Sequence, residues 1–286
     1  MAVPSFLSGG FIAAAHRGAS RDFPENTIEA FRRAREIIPG CMLETDARLT
    51  ADGCIVLMHD AMLDPKTGGR GPVRRRTLAE IKSLEAGHGI TFDGGTSFPF
   101  RGRGYRIAAL PEFLEAFPAA AASIDIKDND PAAAGRVISD IKNAGAEGRI
   151  LVGSFHYGLL RLVRRLHPGI ITSFSTLDTI NMLARQRLGV PNKKRWEGAA
   201  LLIPEFAGRG IPEYNGGAGF QGVRVITPGL VRFAHGAGIP VLAWTINGAG
   251  NMRRLIEWGV NGIITDRPEV LADVMRGKNG VKALAD

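Results

Sequence analysis

The sequence predicts an α/β protein, a (β/α)8 or TIM barrel with a small insertion after its second strand. Three observations predict this fold. Short apolar segments alternate with amphipathic stretches along the chain, as expected for repeated strand–helix units. Eight of the apolar segments are nearly continuous in hydrophobicity, which is typical of strands buried on both faces. Polar or ionisable residues follow most of these segments, where a barrel carries its functional groups.

The eight predicted strands are separated by helical patterns. The strands cover residues 11–15, 41–45, 123–126, 150–153, 170–174, 199–203, 240–244 and 262–265. Helices are predicted at 26–37, near 111–117, from Asp130 onward, and at 157–166, 177–187, 228–237 and 249–258. Asp130 is expected to cap a helix with Pro131 in its first turn. Gly238 and Gly259 are expected to end helices in the left-handed conformation.

An open, doubly wound sheet is the alternative architecture. It would normally carry a glycine-rich phosphate turn after the first strand. The segment His16-Arg17-Gly18-Ala19 is not such a turn, and the barrel is therefore favoured.

Two segments interrupt the strand–helix rhythm. Residues 60–109 are rich in Gly, Arg and Pro and are too long for a plain connecting loop, which predicts an insertion with structure of its own. Residues 206–222 are rich in glycine and are interpreted as a flexible flap beside Pro204-Glu205. We expect residues 1–286 to form one catalytic domain with decorated loops.

The chain has 286 residues, 45% of them hydrophobic, and a formal net charge of +8. Such a charge favours anionic partners. The basic clusters Arg74-Arg75-Arg76 and Lys193-Lys194-Arg195 carry no interleaved aromatic residues, so we expect no nucleic-acid partner. A small-molecule substrate is expected instead, with peripheral lipid contact left open.

Cysteine usage and hydropathy bear on the compartment. Cys41 and Cys54 flank a turn asymmetrically and are predicted to be free thiols, as in a reducing compartment. No apolar run approaches the ~18 residues of a membrane-spanning helix. The segment before His16 is predicted to be a strand rather than a cleaved leader. We therefore expect a cytoplasmic location.

Three carboxylates are predicted to meet at the barrel mouth. Glu44 and Asp46 stand two residues apart on a strand, so their side chains leave from the same face. Asp125 ends the next predicted barrel strand. Hard oxygen ligands of this kind suit one divalent cation, Mg²⁺ or Ca²⁺. The alternative is that these carboxylates cap helices or pair with arginines.

His16 and His59 form the candidate acid–base pair, because histidine titrates near neutrality without a large perturbation. His59 follows a segment that turns back toward the barrel mouth. Arg17 and Lys127 place positive charge there and could hold a phosphate. Together with a cation these residues describe a phosphoester-cleaving site, without selecting a substrate. His156, just after the fourth strand, is a weaker candidate.

An ordered set of short motifs covers the chain from residue 12 to residue 268. These are His16-Arg17-Gly18, Pro24-Glu25-Asn26-Thr27 with Ala30-Phe31, Glu44-x-Asp46, Thr50-x-Asp52-Gly53, His59-Asp60, Asp125-x-Lys127, Trp244-Thr245-Ile246-Asn247 and Thr265-Asp266-x-Pro268. In this set and order the chain resembles the glycerophosphodiester phosphodiesterase family. His-Arg-Gly alone is weak, whereas the ordered set is highly specific.

The resemblance implies a divalent cation held by the three carboxylates, with His16 and His59 as the acid–base pair. It implies Arg17 and Lys127 on the phosphate, and Trp244 against the glycerol or alcohol portion. The implied reaction releases glycerol 3-phosphate and an alcohol from a glycerophosphodiester. The attacking group is a substrate hydroxyl, through a cyclic phosphate, or water.

Two departures from the family's pattern concern the substrate. The carboxylate of the third strand is usually Glu, whereas here it is Asp125, which also resembles the related sphingomyelinase D and lysophospholipase D enzymes. Residues 63–67 follow the pattern only loosely. The alternative function is therefore a lipid-directed phosphodiesterase, with Phe92, Phe98 and Phe100 of the insertion as lipid anchors. A non-catalytic phosphate-binding barrel would be expected to lack one of the histidines or carboxylates, and none is missing.

Overall fold

Eight parallel strands surround a common axis in this computed structural model, which describes residues 4–64, 66–192, 196–207 and 222–277. They are β1 (Ile12–His16), β2 (Met42–Leu49), β4 (Ala122–Ile126), β5 (Ile150–Gly153), β6 (Ile171–Thr172), β7 (Leu201–Pro204), β10 (Val241–Trp244) and β11 (Gly262–Thr265). Three short strands lie beside them: β3 (Ile55–Leu57), β8 (Phe206–Ala207) and β9 (Val223–Arg224). The hydrogen-bonded order is β6-β5-β4-β2-β1-β11-β10-β7.

The two ends of this sheet meet between β6 and β7. The Phe174 N–H donates to the Ala200 carbonyl at 3.0 Å, and the Ala199 N–H donates to the Thr172 carbonyl at 2.8 Å. The predicted (β/α)8 barrel is therefore confirmed. Every predicted strand is present, β5 and β11 with the predicted bounds and the other six with shifted ends. β2 extends to Leu49 because it pairs with the antiparallel β3, whereas β6 shortens to two residues.

A helix follows each barrel strand. The helices are α1 (Ser5–Ser8), α2 (Ile28–Ile37), α3 (Leu78–Ser83), α4 (Leu110–Ala116), α5 (Pro131–Asn143), α6 (Tyr157–Leu166), α7 (Thr176–Arg187), α8 (Pro228–His235), α9 (Ala249–Glu257) and α10 (Pro268–Gly277). The cap at Asp130 is confirmed, since its side chain accepts from the Ala132 N–H at 2.8 Å. Gly238 and Gly259 have φ values of 70° and 88°, as predicted.

Strand alternation divides the side chains between two environments. Met42 packs inside the barrel with Ile12 and Ile264, while Leu43 packs outward with Phe31. Glu44 and Asp46 are two and four residues after Met42, so their side chains face the inside of the barrel as Met42 does. The carboxyl half of β2 therefore directs two acidic side chains toward the barrel axis. The amino-terminal end of the barrel is apolar and is filled by Leu7 of α1.

The insertion at 60–109 has structure of its own, as predicted. It contains a 3-10 turn at Val73–Arg75 and helix α3, whose first turn carries a capping box between Thr77 and Glu80. Leu63, Val73, Ile81 and Ile107 form a small core with residues of β3. Because β3 is paired to β2, this core holds the insertion beside the carboxyl end of the barrel.

Three further predictions concern thiols, basic clusters and membrane spans. Both cysteines are free, Cys41 buried and Cys54 partly exposed. No helix within the described ranges is long and apolar enough to cross a membrane. The cluster 193–195 and most of the predicted flap, 208–221, lie outside the described residues.

Candidate active site

A cavity of about 860 Å³ opens at the carboxyl ends of the barrel strands. Seven of the eight predicted site residues lie in its wall: His16, Arg17, Glu44, His59, Asp125, Lys127 and Trp244. The eighth, Asp46, lies beneath the wall and is completely buried. The structure brings all eight residues together at the mouth, and their chemical roles stay predictions.

Asp46 anchors the two cations of the site. Arg17 Nε lies 2.9 Å from Asp46 Oδ2, and Lys127 Nζ lies 2.9 Å from Oδ1. The Asn26 amide also donates to Oδ2 at 3.0 Å. Burial alone would raise the pKa of Asp46, but Arg17 and Lys127 outweigh burial and hold that pKa well below its usual range. Asp46 therefore stays ionised and fixes the positions of both cationic side chains.

The loop after β1 has an unusual backbone. Arg17 and Asn26 have φ values of 57° and 59°, a region that non-glycine residues rarely adopt. The Asn26 N–H donates to the Arg17 carbonyl at 3.0 Å, and the Thr45 hydroxyl donates to the Asn26 side chain at 2.7 Å. Gly18, at φ 87°, lies so close to α2 that a Cβ would come within 2.6 Å of the Ala30 carbonyl carbon. These contacts fix the backbone position from which the Arg17 side chain extends.

Both candidate histidines are held by an aspartate through Nδ1. His16 Nδ1 lies 2.6 Å from Asp266 Oδ1, and His59 Nδ1 lies 2.9 Å from Asp60 Oδ1. The pKa of each aspartate is lowered, because burial is outweighed by hydrogen bonds and charge from its histidine. An ionised carboxylate only accepts hydrogen bonds, so Nδ1 carries the proton in each pair. Nε2 is then the atom of each ring that can exchange a proton with substrate.

The Asp266 carboxylate is itself positioned by two donors. The Ser20 hydroxyl donates to Oδ1 at 3.0 Å, and the Asn247 amide donates to Oδ2 at 2.7 Å. His16 Nε2 lies 3.8 Å from Glu44 Oε2. Burial lowers the pKa of His16, but Glu44 and Asp266 raise it more strongly, so that it ends above its ordinary value. The sequence motifs that contain Asn247 and Asp266 thus act together to orient His16.

Lys66, from the insertion, is a cation of this site that sequence reasoning missed. Its Nζ lies 3.2 Å from Glu25 Oε1 and 3.3 Å from Asp60 Oδ2. Glu25 Oε2 also accepts from Arg17 at 3.3 Å. Lys66 therefore bridges Asp60 and Glu25. The first carboxylate accepts from His59, and the second contacts Arg17. The departure of residues 63–67 from the family's pattern was the only signal in the sequence.

Lys127 lies between the carboxylates of the site and a pair of aromatic side chains, Phe155 and Trp244. Its Nζ lies 2.6 Å from Asp125 Oδ2 and 5.5 Å from the centre of the Phe155 ring. That ring meets Trp244 edge to face, with 6.0 Å between the ring centres. Phe155 was not among the predicted residues, since a single exposed Phe after a strand carries no distinctive pattern.

Among the described residues no lysine or arginine side chain pairs with Glu44, unlike the other two carboxylates, although the Arg17 N–H donates to its Oε2 at 3.2 Å. Burial, with a further contribution from Asp46, raises its pKa to about 7. Within the described ranges no group of three His, Cys, Asp or Glu side chains is arranged for a metal ion; Lys127 lies between Asp46 and Asp125 instead. Buried Asp46 Oδ1 nevertheless lacks a well-aligned hydrogen bond. The donor set, three carboxyl groups at one cavity, fits a hard divalent cation.

Glu205, which lies beside the predicted flap in the sequence, is not part of the cavity wall. Its side chain is completely buried, with Oε1 2.5 Å from Arg224 and 2.6 Å from Arg254. It holds β9 and α9 together and does not line the cavity. His156 precedes α6 and is likewise absent from the described lining, whereas Phe92 of the insertion lines the cavity and is 56% exposed.

The fold and this site define an α/β-barrel enzyme for phosphoester chemistry, with histidines, carboxylates and fixed cations in one mouth. Residues 16–270 match the model of the glycerophosphoryl diester phosphodiesterase family. The chain belongs to this family.

Individual relatives agree with this assignment. A glycerophosphodiester phosphodiesterase from Caldanaerobacter subterraneus subsp. tengcongensis is 33% identical over 92% of this chain and 96% of its own length. The glycerophosphoryl diester phosphodiesterase domain of an uncharacterized protein from Mycobacterium tuberculosis has a TM-score of 0.80 at 22% identity, covering 92% of this chain and 98% of that one. An Oleispira antarctica phosphodiesterase, solved with the product sn-glycerol-3-phosphate, has a TM-score of 0.72 at 22% identity, covering 94% and 98%.

Proposed function

We propose that this protein hydrolyses glycerophosphodiesters to glycerol 3-phosphate and an alcohol, with one divalent cation, Mg²⁺ or Ca²⁺. The observation that carries the proposal is the pair of histidines, each held through Nδ1 by an ionised aspartate, in one cavity with Arg17 and Lys127. Membership of the family supports the reaction class. The product bound to the Oleispira antarctica relative supports glycerol 3-phosphate as one product.

The cations of the site hold the phosphate. Arg17 and Lys127 both lie against Asp46, so their positive charges reach the cavity without having to be ordered on substrate binding. Arg17 can contact two phosphate oxygens at once, whereas Lys127 acts as a point charge. Trp244 packs against the organic part of the substrate beside Phe155.

The histidines move the protons. The Nε2 of one ring takes the proton of the attacking hydroxyl or water, and the Nε2 of the other gives a proton to the leaving alcohol oxygen. Asp266 and Asp60 keep each ring in the tautomer that presents Nε2. Glu44, Asp46 and Asp125 would hold the divalent cation, which when bound neutralises charge on the phosphate oxygens.

We further propose that residues 1–286 act as one catalytic domain. Lys66 of the insertion contacts Glu25, which follows β1, and Phe100 of the insertion stacks on Phe23 with 6.5 Å between ring centres. The insertion thus contributes directly to the wall of the barrel site.

The test is release of glycerol 3-phosphate from glycerophosphocholine, measured in excess chelator and after adding back Mg²⁺ or Ca²⁺. We expect the chelator to abolish turnover and the added cation to restore it. Glu44→Gln should lose the response to cation, while Glu36→Gln, an exposed charge on α2, serves as the matched control. Full activity in excess chelator would refute metal dependence, and no turnover under any condition would refute the proposed reaction.

A further inference from the structure

The two candidate histidines are anchored to the barrel in unequal ways. His16 is the last residue of β1 and pairs with Glu44 of β2 in the sheet. His59 lies two residues beyond the end of β3, and its side chain is 32% exposed against 14% for His16. The aspartate that accepts from its ring, Asp60, belongs to the same loop and cannot by itself fix that loop to the barrel. The position of His59 therefore depends on contacts from outside the loop.

Arg48 of β2 supplies such a contact to the main chain of the loop. Its Nε donates to the His59 carbonyl at 2.8 Å. One residue earlier, the Met58 N–H donates to the Asp46 carbonyl at 3.0 Å. A hydrogen bond from a guanidinium is roughly twice as strong as one between neutral groups. Two consecutive residues are thus bonded to β2, and the second bond depends on the Arg48 side chain.

Asp128 holds the Arg48 side chain in the orientation that reaches His59. Its Oδ1 accepts from Arg48 Nη1 at 2.7 Å, and its Oδ2 accepts from the Leu49 N–H at 2.8 Å. The Arg48 and Asp128 side chains are largely buried, so solvent ions screen their attraction only weakly. Asp128 directly follows Lys127 in the chain. The same ion pair therefore ties His59 to the segment that carries the candidate phosphate-binding lysine.

The pair lies behind the cavity wall. Neither Arg48 nor Asp128 is among the described residues that line the cavity, so neither is placed to touch a substrate. Any effect of the pair on catalysis must pass through His59 and the segment after β4. Proton transfer demands close alignment of the donor, the acceptor and the reacting oxygen, and a displacement of about 1 Å can cost on the order of a hundredfold in rate.

Resting on the proposed phosphodiesterase function, we propose that Arg48 and Asp128 are positioning residues for this reaction. The pair sets the place of the His59 main chain relative to Lys127, and so aligns Nε2 of His59 with a phosphate held by that lysine. Loss of the pair slows proton transfer and leaves substrate binding intact, because Lys127 keeps its contacts with Asp46 and Asp125.

The first test is steady-state kinetics of Arg48→Met with glycerophosphocholine. We expect kcat to fall by roughly tenfold to a hundredfold while KM stays near the wild-type value, the pattern of an interaction that matters only in the transition state. Arg48→Lys should recover part of kcat, since an ammonium keeps a charged donor but lacks the planar fork that reaches both acceptors.

A double variant tests whether the two residues act as one unit. Asp128→Ala alone should lower kcat less than Arg48→Met, because Arg48 keeps its donor to the His59 carbonyl but loses the partner that orients it. The variant with both substitutions should lose no more kcat than Arg48→Met alone.

Arg136→Met is the matched control. Arg136 Nε donates to Asp140 Oδ1 at 2.8 Å, and its Nη1 donates to the Gly53 carbonyl at 3.1 Å. This arginine also joins a carboxylate to a main-chain carbonyl beside β3, but at the end of β3 away from His59, and it does not line the described cavity. Its kcat should match wild type. In NMR spectra without substrate, the His59 ring resonances should shift in Arg48→Met and stay in place in Arg136→Met.

The outcomes separate this inference from the proposed function. Wild-type kcat in Arg48→Met, or an equal loss of kcat in Arg136→Met, would overturn the inference and leave the proposed function standing. Additive losses in the double variant, or His59 resonances that Arg48→Met does not move, would overturn it as well. Failure of the wild type to hydrolyse any diester would overturn the proposed function itself, and this inference with it.

Discussion

His16 Nδ1 lies 2.6 Å from Asp266 Oδ1, although 250 residues separate them in the chain. β1 and β11 are neighbours in the sheet, which brings the first and last strands of the barrel together at the site. Asp266→Ala should remove the acceptor that fixes the tautomer of His16. We expect kcat to fall by roughly a hundredfold and the pKa of His16 to decrease, because Asp266 contributes to raising it.

The pH–rate profile and an NMR titration of His16 would measure the two effects of Asp266→Ala. Asp22→Asn, an exposed aspartate in the loop after β1, is the control and should match wild type. An unchanged kcat in Asp266→Ala would contradict an orienting role for Asp266.

Glu44 should make the metal-free protein less stable as the pH rises. Its pKa is raised from 4.5 to about 7, chiefly by burial. Between these values the unfolded chain has lost the proton and the folded chain retains it, so the free energy of unfolding falls with increasing pH and levels off above about 7. We expect wild type to lose stability relative to Glu44→Gln by roughly 3 kcal/mol from about pH 4 to about pH 8.

Denaturant unfolding in the presence of chelator would measure this difference. Added Mg²⁺ should reduce it at high pH, because a bound cation stabilises the ionised carboxylate. Parallel pH dependences for wild type and Glu44→Gln would contradict the raised pKa.

Lys66 should affect catalysis through Asp60 and Glu25. Lys66→Met removes the cation between these two carboxylates, which lie against His59 and Arg17 respectively. We expect kcat/KM to fall on the order of tenfold, with partial recovery in Lys66→Arg. Steady-state kinetics over a pH range would show whether the protonation of the site shifts as well.

The control for Lys66 is Lys82→Met in the same insertion. Lys82 also pairs with a glutamate, Glu112, at 2.7 Å, but at the surface and away from the cavity. Its kinetics should match wild type. Equal losses in both variants would mean that the insertion is merely destabilised.

Alanine substitutions at two glycines would distinguish the cost of backbone strain from the cost of steric crowding. Gly18 and Gly53 both have positive φ, 87° and 76°. A Cβ at Gly53 would meet nothing within 4 Å, whereas one at Gly18 would meet the backbone of Ala30 at 2.6 Å. Gly53→Ala should cost about 1 kcal/mol of unfolding free energy, and Gly18→Ala roughly 2 kcal/mol more through overpacking.

Gly18→Ala should also lower activity, because the displaced loop carries Arg17. Thermal unfolding and steady-state kinetics of both variants would test this. Similar stability and activity in the two would show that the loop can move away from α2 without consequence.

The strands were predictable because burial on both faces leaves a simple apolar signature, and strand ends locate the functional residues. The positions at which the strands end were not predictable in the same way. β2 continues to Leu49 because β3 pairs with it, and no local sequence pattern encodes that tertiary contact. β6 is short because α7 begins soon after it, with Ser175 as the cap of that helix; Ser173 still donates its N–H to the Val152 carbonyl at 2.9 Å.

The residues of the site were likewise predictable where strand ends position them, and unpredictable where tertiary contacts do. His16, Glu44 and Asp125 are fixed by the ends of barrel strands, so their meeting could be predicted from spacing. Lys66 could not, since its position depends on how the insertion folds back onto the loop after β1. The ionisable side chains that line the cavity come from β11, β1, β2, β4 and the segments after them, and these strands become neighbours only when the sheet forms.

Leu7 fills the amino-terminal end of the barrel, so the described part of the chain leaves the cavity no exit on that side. The two products must therefore leave through the opening by which the substrate entered. If Arg17 and Lys127 hold the phosphate as proposed, the phosphorylated product is expected to leave last and to block the next substrate until it does. Turnover in a cell would then follow the rate at which that product is consumed, making the enzyme responsive to downstream demand.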